Sequence, residues 1–202
     1  KFIKLFYIYL KIIIFINSGG KVGLGHLTRS MALVNAFKKK NHSVKIITKI
    51  DKHTDYFLKV NLFKFKQLNF TKMNIINLVK KEKPQLIVFD SYELNLDCFK
   101  NLKKLCYIAT FDDKKLSGMS ADIIINGLPE INKFSYQADN NKLFLLGRDF
   151  QVVREQFLIK KHKRMNFKVY KIVILAGGLD VSNKLKTLAK KIHMINLSKN
   201  IT

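Results

Sequence analysis

The chain has 202 residues, 48% of them hydrophobic, with 38 basic against 14 acidic side chains and a formal net charge of +24. That length allows one domain and part of another, and that apolar fraction excludes a disordered polycation. Its two cysteines, Cys98 and Cys106, exclude a disulfide framework and a four-cysteine zinc site, and they read as reduced thiols of a cytoplasmic protein.

Residues 1–16 are strongly apolar but carry Lys1, Lys4 and Lys11. A membrane span needs about 20 apolar residues, so this stretch is too short and too interrupted to be one. No small-residue cleavage site precedes the glycines that follow, which argues against a signal peptide. The expectation is a leader over 1–10 and a buried strand over 11–16. The chain opens without Met, which fits processing or a fragment.

Next comes Ser18-Gly19-Gly20-Lys21-Val22-Gly23-Leu24-Gly25-His26, and then a helical pattern over 26–40 with Leu27, Met31, Val34 and Phe37 on one stripe. Further strand-like runs cover 44–48, 85–90, 105–111, 121–126, 143–146 and 171–176. Helical patterns cover 73–83, stopped by Pro84, then 94–103 and 182–195. Several apolar runs lack period-2 alternation, as strands covered on both faces do. The alternation of strands and helices predicts an α/β, doubly wound, Rossmann-like parallel sheet over 11–167. After the basic segment Lys160–Lys168, residues 168–202 read as the first βα unit of an incomplete second, nucleotide-binding domain. Alone, that unit is expected to expose Ile172, Ile174, Leu188 and Ile192.

Only four of the 38 basic residues are Arg: Arg29, Arg148, Arg154 and Arg164. Arg forks onto phosphates and base edges, whereas scattered Lys mostly keeps a surface solvated. No specific nucleic-acid partner is therefore expected, only weak, sequence-blind, salt-dependent association.

The glycine-rich segment places backbone N–H groups and the positive end of a helix where anions bind in open α/β sheets. His26 sits at the first turn, where that positive end favours a neutral imidazole able to accept a proton. The bland alternative is a tight turn with a capping His. The segment is not a Walker A loop, because Val22 stands where Ser or Thr is required, and Thr28 spoils a dinucleotide fingerprint. Asp90, the Asp112-Asp113 pair and Asn126 close strand-like runs, where clefts form; each alone also reads as a strand terminator or helix cap. No His or further carboxylate lies at ligand spacing from Asp112-Asp113, so no metal is expected. His42, His53, His162 and His193 are expected to be solvated.

Taken together, several segments resemble a known family. They are Gly23-Leu24-Gly25-His26-Leu27-Thr28-Arg29, Asp90-Ser91-Tyr92, Phe111-Asp112-Asp113, residues 121–126, residues 146–157 and Gly177-Gly178-Leu179-Asp180. The series resembles the UDP-2,4-diacetamido-2,4,6-trideoxy-β-L-altropyranose hydrolases of pseudaminic acid biosynthesis and their spore-coat polysaccharide relatives. The fold of that family is similar to two-domain GT-B glycosyltransferases such as MurG. The resemblance implies hydrolysis of a UDP-sugar to UDP and free sugar, with no metal or other cofactor. It places His26 at the attacking water, Tyr92 on the sugar side, and Gly177, Gly178 and Asp180 on UDP. Gly23, Gly25, Arg29, Asp113, Asn126 and Arg154 fall in the same motifs and are expected on the substrate side.

The chain departs from the family at Phe15 and Asn17, where an Arg and an acidic residue are usual, at Phe150 for a Tyr, and at Leu179 for a hydroxyl. The second UDP-binding motif of the family is expected beyond Thr202. The 202-residue chain is accordingly expected to be inactive alone, with a separate chain supplying the missing lobe. Two further readings stand beside hydrolysis: a GT-B glycosyltransferase using the same loop, and an inactive half-protein or binding module.

Overall fold

The fold starts from an unusually apolar first strand, β1 (Lys11–Ile16), in which Ile12 to Ile16 have no accessible surface. Because side chains alternate across a strand, Ile12, Ile14 and Ile16 enter one core and Ile13 and Phe15 the other. Each such burial contributes roughly 1.5–3 kcal/mol, so β1 demands a cover on both faces. A computed structural model of the chain describes residues 9–18, 24–91, 97–113, 120–131, 136, 141–158, 174 and 184–199.

Following β1 are α1 (Gly25–Lys39), β2 (Ser43–Thr48), α2 (Lys52–Val60), β3 (Phe65–Gln67), α3 (Lys72–Glu82), β4 (Leu86–Asp90), α4 (Asp97–Leu102), β5 (Tyr107–Phe111), β6 (Ile123–Asn126) and β7 (Leu143–Leu146). Two 3-10 turns, Arg148–Phe150 and Glu155–Phe157, and α5 (Leu185–Lys199) complete the described elements. The strands form one seven-stranded sheet in the order β3-β2-β1-β4-β5-β6-β7, every neighbouring pair parallel. On one face α1 and α2 deliver Leu27, Met31, Val34 and Leu58 to Ile12, Ile14 and Ile16. On the other, α3 and α4 deliver Ile75, Leu78, Val79, Phe99 and Leu102 to Ile13 and Phe15. There Phe15 stacks on Phe89 at 4.9 Å between centroids, and Phe89 meets Phe99 at 5.2 Å. The chain is an α/β, doubly wound, Rossmann-like fold.

The expected elements that fall within the described residues recur, most with shifted ends. β5 begins at Tyr107 rather than at 105, because residues 103–105 make a turn closed by Leu105 N–H to Leu102 O at 2.8 Å. α3 stops at Glu82, with Lys83 left-handed (φ 47°) ahead of Pro84. α2 and β3 were not anticipated. α2 buries only Thr54 and Leu58, too few for a clear stripe, and its start is marked by the Asp51 side chain accepting from Thr54 N–H at 2.7 Å. β3 is three residues at the sheet edge, on the outer side of β2.

His42 corrects the expectation of a solvated ring. It is half-buried beside Phe37, and its Nδ1 accepts from Leu10 N–H at 3.3 Å. His53 and His193 are exposed, and His162 lies outside the described residues. Residues 1–8 of the leader expected over 1–10, the domain boundary near 167 and the strand over 171–176, apart from Ile174, also lie outside them. α5 is described, and no residue of its first ten is buried; Leu188 and Met194 are 46% and 65% exposed. Among the described residues no helix is long and apolar enough to cross a membrane.

Candidate active site at the strand-order reversal

The sheet order reverses between β1 and β4, so chain connections leave these two strands toward opposite faces and a crevice opens at their carboxyl ends. Ile16 pairs with Asp90 across that junction, and Asn17 N–H donates to Asp90 O at 3.0 Å. α1 lies over this crevice because its apolar stripe is drawn onto Ile12, Ile14 and Ile16. On its first turns His26, Arg29 and Ser30 stand at i, i+3 and i+4, one face of a helix. All three reach Asp90.

Arg29 Nε donates to Asp90 Oδ2 at 2.8 Å and Nη2 to Oδ1 at 2.6 Å, a bidentate fork. Its other edge grips Asp113, with Nη1 at 2.9 Å from Oδ1 and Nη2 at 2.7 Å from Oδ2. The guanidinium lies 4.3 Å over the Phe111 ring. Ser30 Oγ adds a third donor to Asp90 Oδ2 at 2.8 Å, and His26 Nδ1 meets Oδ1. Asp90 has no accessible surface. Burial opposes its ionisation, but the hydrogen bonds from Arg29 and then His26 outweigh that and hold its carboxyl below the ordinary value of 3.8. Arg29 likewise pays desolvation, yet its bonds to Asp90 and Asp113 raise it further above its usual range.

An ionised carboxylate only accepts. The hydrogen bond between His26 and Asp90 is therefore donated by Nδ1, so in the neutral ring Nε2 is the acceptor nitrogen. Arg29 Nη2 also lies 3.3 Å from Nδ1, but that nitrogen's proton is claimed by Asp90. A buried imidazole held in one tautomer by a carboxylate is the arrangement of a general base. The ring is thus oriented by a partner 64 positions away, which the local reading of the helix end did not contain. At the helix start, Gly25 has ordinary backbone and open space in front of it: a Cβ would meet nothing within 4 Å.

A second zone adjoins Arg29. A cleft of about 280 Å³ is lined by Arg29, Phe111, Asp113, the run Gly127 to Pro129, and Phe150 to Val152. Its floor is fixed where β6 meets the segment after β7: a Cβ on Gly127 would stand 2.7 Å from Gln151 Cα, so only glycine allows that approach. Asn126 sits behind it, fully buried, its Nδ2 donating to Asp112 O at 2.6 Å and to Tyr136 Oη at 3.1 Å. Burial first pushes the Tyr136 phenol up to about 12, so it remains a neutral tie. Burial and then Asp122 push the Cys106 thiol up to about 11, which makes it a poor nucleophile.

The fold thus brings His26, Gly25, Arg29 and Asp113 together. Asn126 lies in the same region, facing inward to Asp112 and Tyr136 rather than into the cleft. Arg154 is exposed, 4.8 Å over the Phe157 ring, and makes no described contact with the His26 cluster. Gly23, Tyr92, Gly177, Gly178 and Asp180 lie outside the described residues. Ser30, Gly127 and Gln151 join the site without having been singled out for it, and Asp90, a strand-end candidate with no assigned role, becomes its centre. The spacing His26–Arg29–Ser30 was a usable signal for Ser30; nothing local showed that Asp90 would meet it. Among the described residues no group of three or more His, Cys, Asp or Glu side chains is placed to hold a metal ion.

No family model matches the chain. It is similar to an uncharacterized protein of Methanocaldococcus jannaschii, 29% identical over 185 residues that cover 86% of this chain and 38% of that protein. It is also similar to the UDP-2,4-diacetamido-2,4,6-trideoxy-beta-L-altropyranose hydrolase of Campylobacter jejuni, 23% identical over 191 residues covering 91% of this chain and 66% of the hydrolase. The chain therefore spans less than two thirds of the length of either curated relative. Among solved structures, MurG of Acinetobacter baumannii overlaps 66% of this chain and 44% of its own at 10% identity and a TM-score of 0.48, a likeness that carries no argument about activity.

Proposed function

We propose that this chain carries the base-bearing unit of a sugar-nucleotide enzyme, and that the reaction is hydrolysis of a UDP-linked diacetamido-trideoxy sugar. The observation that carries the reading is the buried Asp90 carboxylate on His26 Nδ1, at the one place in the sheet where ligands collect. The similarity to the Campylobacter jejuni hydrolase supports the substrate class.

In this reading a water attacks the anomeric carbon while the bond from that carbon to the diphosphate oxygen breaks. His26 Nε2 takes the water's proton, and UDP leaves with the bonding electron pair. Asp90 keeps the proton on Nδ1 and stabilises the imidazolium that forms. The open space before Gly25 lets the substrate approach the start of α1, whose first N–H groups lack partners within the helix and favour the developing negative charge. The UDP moiety is assigned to the Gly177-Gly178-Leu179-Asp180 loop and to a GT-B-like second lobe, by the resemblance described above. Tyr92 and Gly23 keep their assigned places on the substrate side.

The test is UDP release from such a UDP-sugar, by the chain alone and with a polypeptide supplying a nucleotide-binding lobe. His26→Ala should reduce turnover at least ~100-fold, the range of general-base catalysis, with UDP affinity unchanged. Equal turnover by His26→Ala and the parent would overturn the assignment. A second reading, transfer to a sugar hydroxyl, uses the same base, and the mutually balanced Arg29–Asp113 pair lining the adjoining cleft suits an uncharged acceptor ring. Product formed only when an alcohol acceptor is added would select it.

A further inference from the structure

In a parallel sheet every strand starts at one edge, and each crossover helix ends beside the start of the next strand. The starts are aligned here: Ser43 N–H donates to Leu10 O at 2.9 Å and Gln85 N–H to Lys11 O at 3.0 Å. This amino edge lies opposite the His26 crevice. Lysines dispersed along the sequence are gathered on it. The last turn of α1 carries Lys38 and Lys39, that of α3 carries Lys80 and Lys81, and Lys103 and Lys104 follow α4, all six exposed. Acidic groups that reach the edge already sit with a lysine: Glu82 with Lys11 and Lys45, Asp122 with Lys103, and Glu155 with Lys39. A cationic excess remains.

A lysine in a last turn complements its own helix dipole, but that does not explain the apolar side chains set among these lysines. Tyr9, just ahead of β1, is 65% exposed, and Tyr107, the first residue of β5, is 70% exposed. Leu62, 90% exposed, stands in the turn between α2 and β3 on a left-handed backbone (φ 56°) that a bulky residue rarely adopts. Lys38 Nζ lies 5.7 Å from the centroid of the adjacent Phe63 ring, which puts the end of α1 beside that turn. Along the strand order β3-β2-β1-β4-β5 the edge therefore reads Leu62, the α1 lysines, Tyr9, the α3 lysines and Tyr107. The row spans four strand spacings, about 19 Å. A protein partner would find no apolar centre to bury there, because the apolar side chains stand apart with lysines between them. A nucleic-acid duplex offers phosphates to the lysines but no apolar interior to Leu62. An anionic bilayer matches both features, since its headgroups attract lysine, its acyl boundary takes leucine, and tyrosine favours the level between.

We propose that the amino edge of the sheet docks on an anionic lipid bilayer. Lys38, Lys80 and Lys81 meet the headgroups, and Leu62, Tyr9 and Tyr107 enter the interface between them. The contact is peripheral and turns the His26 crevice away from the membrane, so it neither needs nor tests the sugar-nucleotide reading.

Sedimentation of the 202-residue chain with vesicles at physiological ionic strength tests it, using phosphatidylcholine alone and a phosphatidylcholine–phosphatidylserine mixture. The chain should sediment with the mixture and not with phosphatidylcholine. Each of Lys38→Gln, Lys80→Gln and Lys81→Gln should weaken binding about 5-fold, the value of one lysine near an anionic surface, with the melting temperature unchanged. Lys52→Gln and Lys72→Gln, exposed at the opposite ends of α2 and α3, should leave it unchanged. The chain has no Trp, so Tyr107→Trp adds a sole emitter whose fluorescence should shift to the blue on the mixed vesicles. No binding to the mixture, equal binding to both vesicles, or an unshifted emission would each overturn the proposal. So would an equal loss from lysines at either end, which would mean that net charge alone attracts the chain. Displacement from the vesicles by an added DNA duplex would overturn it in favour of a nucleic-acid surface.

Discussion

Asp90 and Phe150 both stand at the carboxyl end of the sheet, on either side of Arg29, and they are built in opposite ways. Asp90 has no accessible surface and accepts from His26, Arg29 and Ser30; Phe150 keeps 43% of its surface in solvent. In the first zone every strong interaction is already made inside the protein, so little is left for a ligand, and what the zone supplies is orientation. In the second, Phe150 and Leu128 line an open cleft and keep 43% and 46% of their surface in solvent, so burial energy remains available for binding. Arg29 divides the two because its guanidinium is shared between Asp90 and Asp113. A cation so engaged acts as a strut between α1 and the ends of β4 and β5, not as a loose phosphate ligand.

The largest effect that would break this contrast is at Asp90. Asp90→Ala leaves the partly buried Arg29 without its main partner, and removing one member of a buried pair costs about 3–5 kcal/mol, measurable as a fall in the urea midpoint. Asp90→Asn keeps the shape and should leave the protein folded while turnover falls at least ~100-fold, because an amide can donate to Nδ1 and impose the other tautomer. The same variant gives a pH signature. The folded value of Asp90 is depressed, so its stabilisation is complete above the unfolded value of about 3.9 and is lost as pH falls through the lower folded value. The parent should therefore lose stability below about pH 4 more steeply than Asp90→Asn; parallel acid curves would contradict the linkage.

A smaller effect is expected at the close approach that fixes the floor of the cleft. Gly127→Ala places a Cβ 2.7 Å from backbone of Gln151, and such overpacking costs about 1–3 kcal/mol. Thermal unfolding should register it. An unchanged melting temperature would show that the approach is not rigid.

The smallest stability change is expected at Gly25. Its backbone is not left-handed and nothing lies within 4 Å of the added methyl, so Gly25→Ala should leave stability unchanged or raise it by about 0.5–1 kcal/mol. Turnover should nevertheless drop if substrate approaches the helix start. A variant equally stable and equally active would remove Gly25 from the substrate side.

Some of this architecture was legible before any coordinates. The unbroken run Ile12 to Ile16 called for a strand covered on both faces, the stripe Leu27–Met31–Val34 for α1, and Pro84 for the end of α3, because each signal lies within a few residues. β3 escaped because three residues at a sheet edge carry no period, and α2 because it buries only Thr54 and Leu58. At the site, His26 and Arg29 were visible as neighbours on one helix face. Asp90 and Asp113 were each marked as a strand end and within a motif, without any sign of the side chains they would meet.

By itself the sequence determined the doubly wound class and the helix that holds His26, Arg29 and Ser30 on one side, since backbone geometry fixes local spacing and apolar periodicity fixes which side is buried. Tertiary structure alone decided what those side chains meet. The His26–Asp90 and Arg29–Asp113 contacts span 64 and 84 positions, and the Gly127–Gln151 approach joins β6 to the segment beyond β7. Such partnerships depend on which strands become neighbours in the sheet, and that order is set by how the two cores close over β1 and β4, a global packing outcome that no stretch of chain encodes locally.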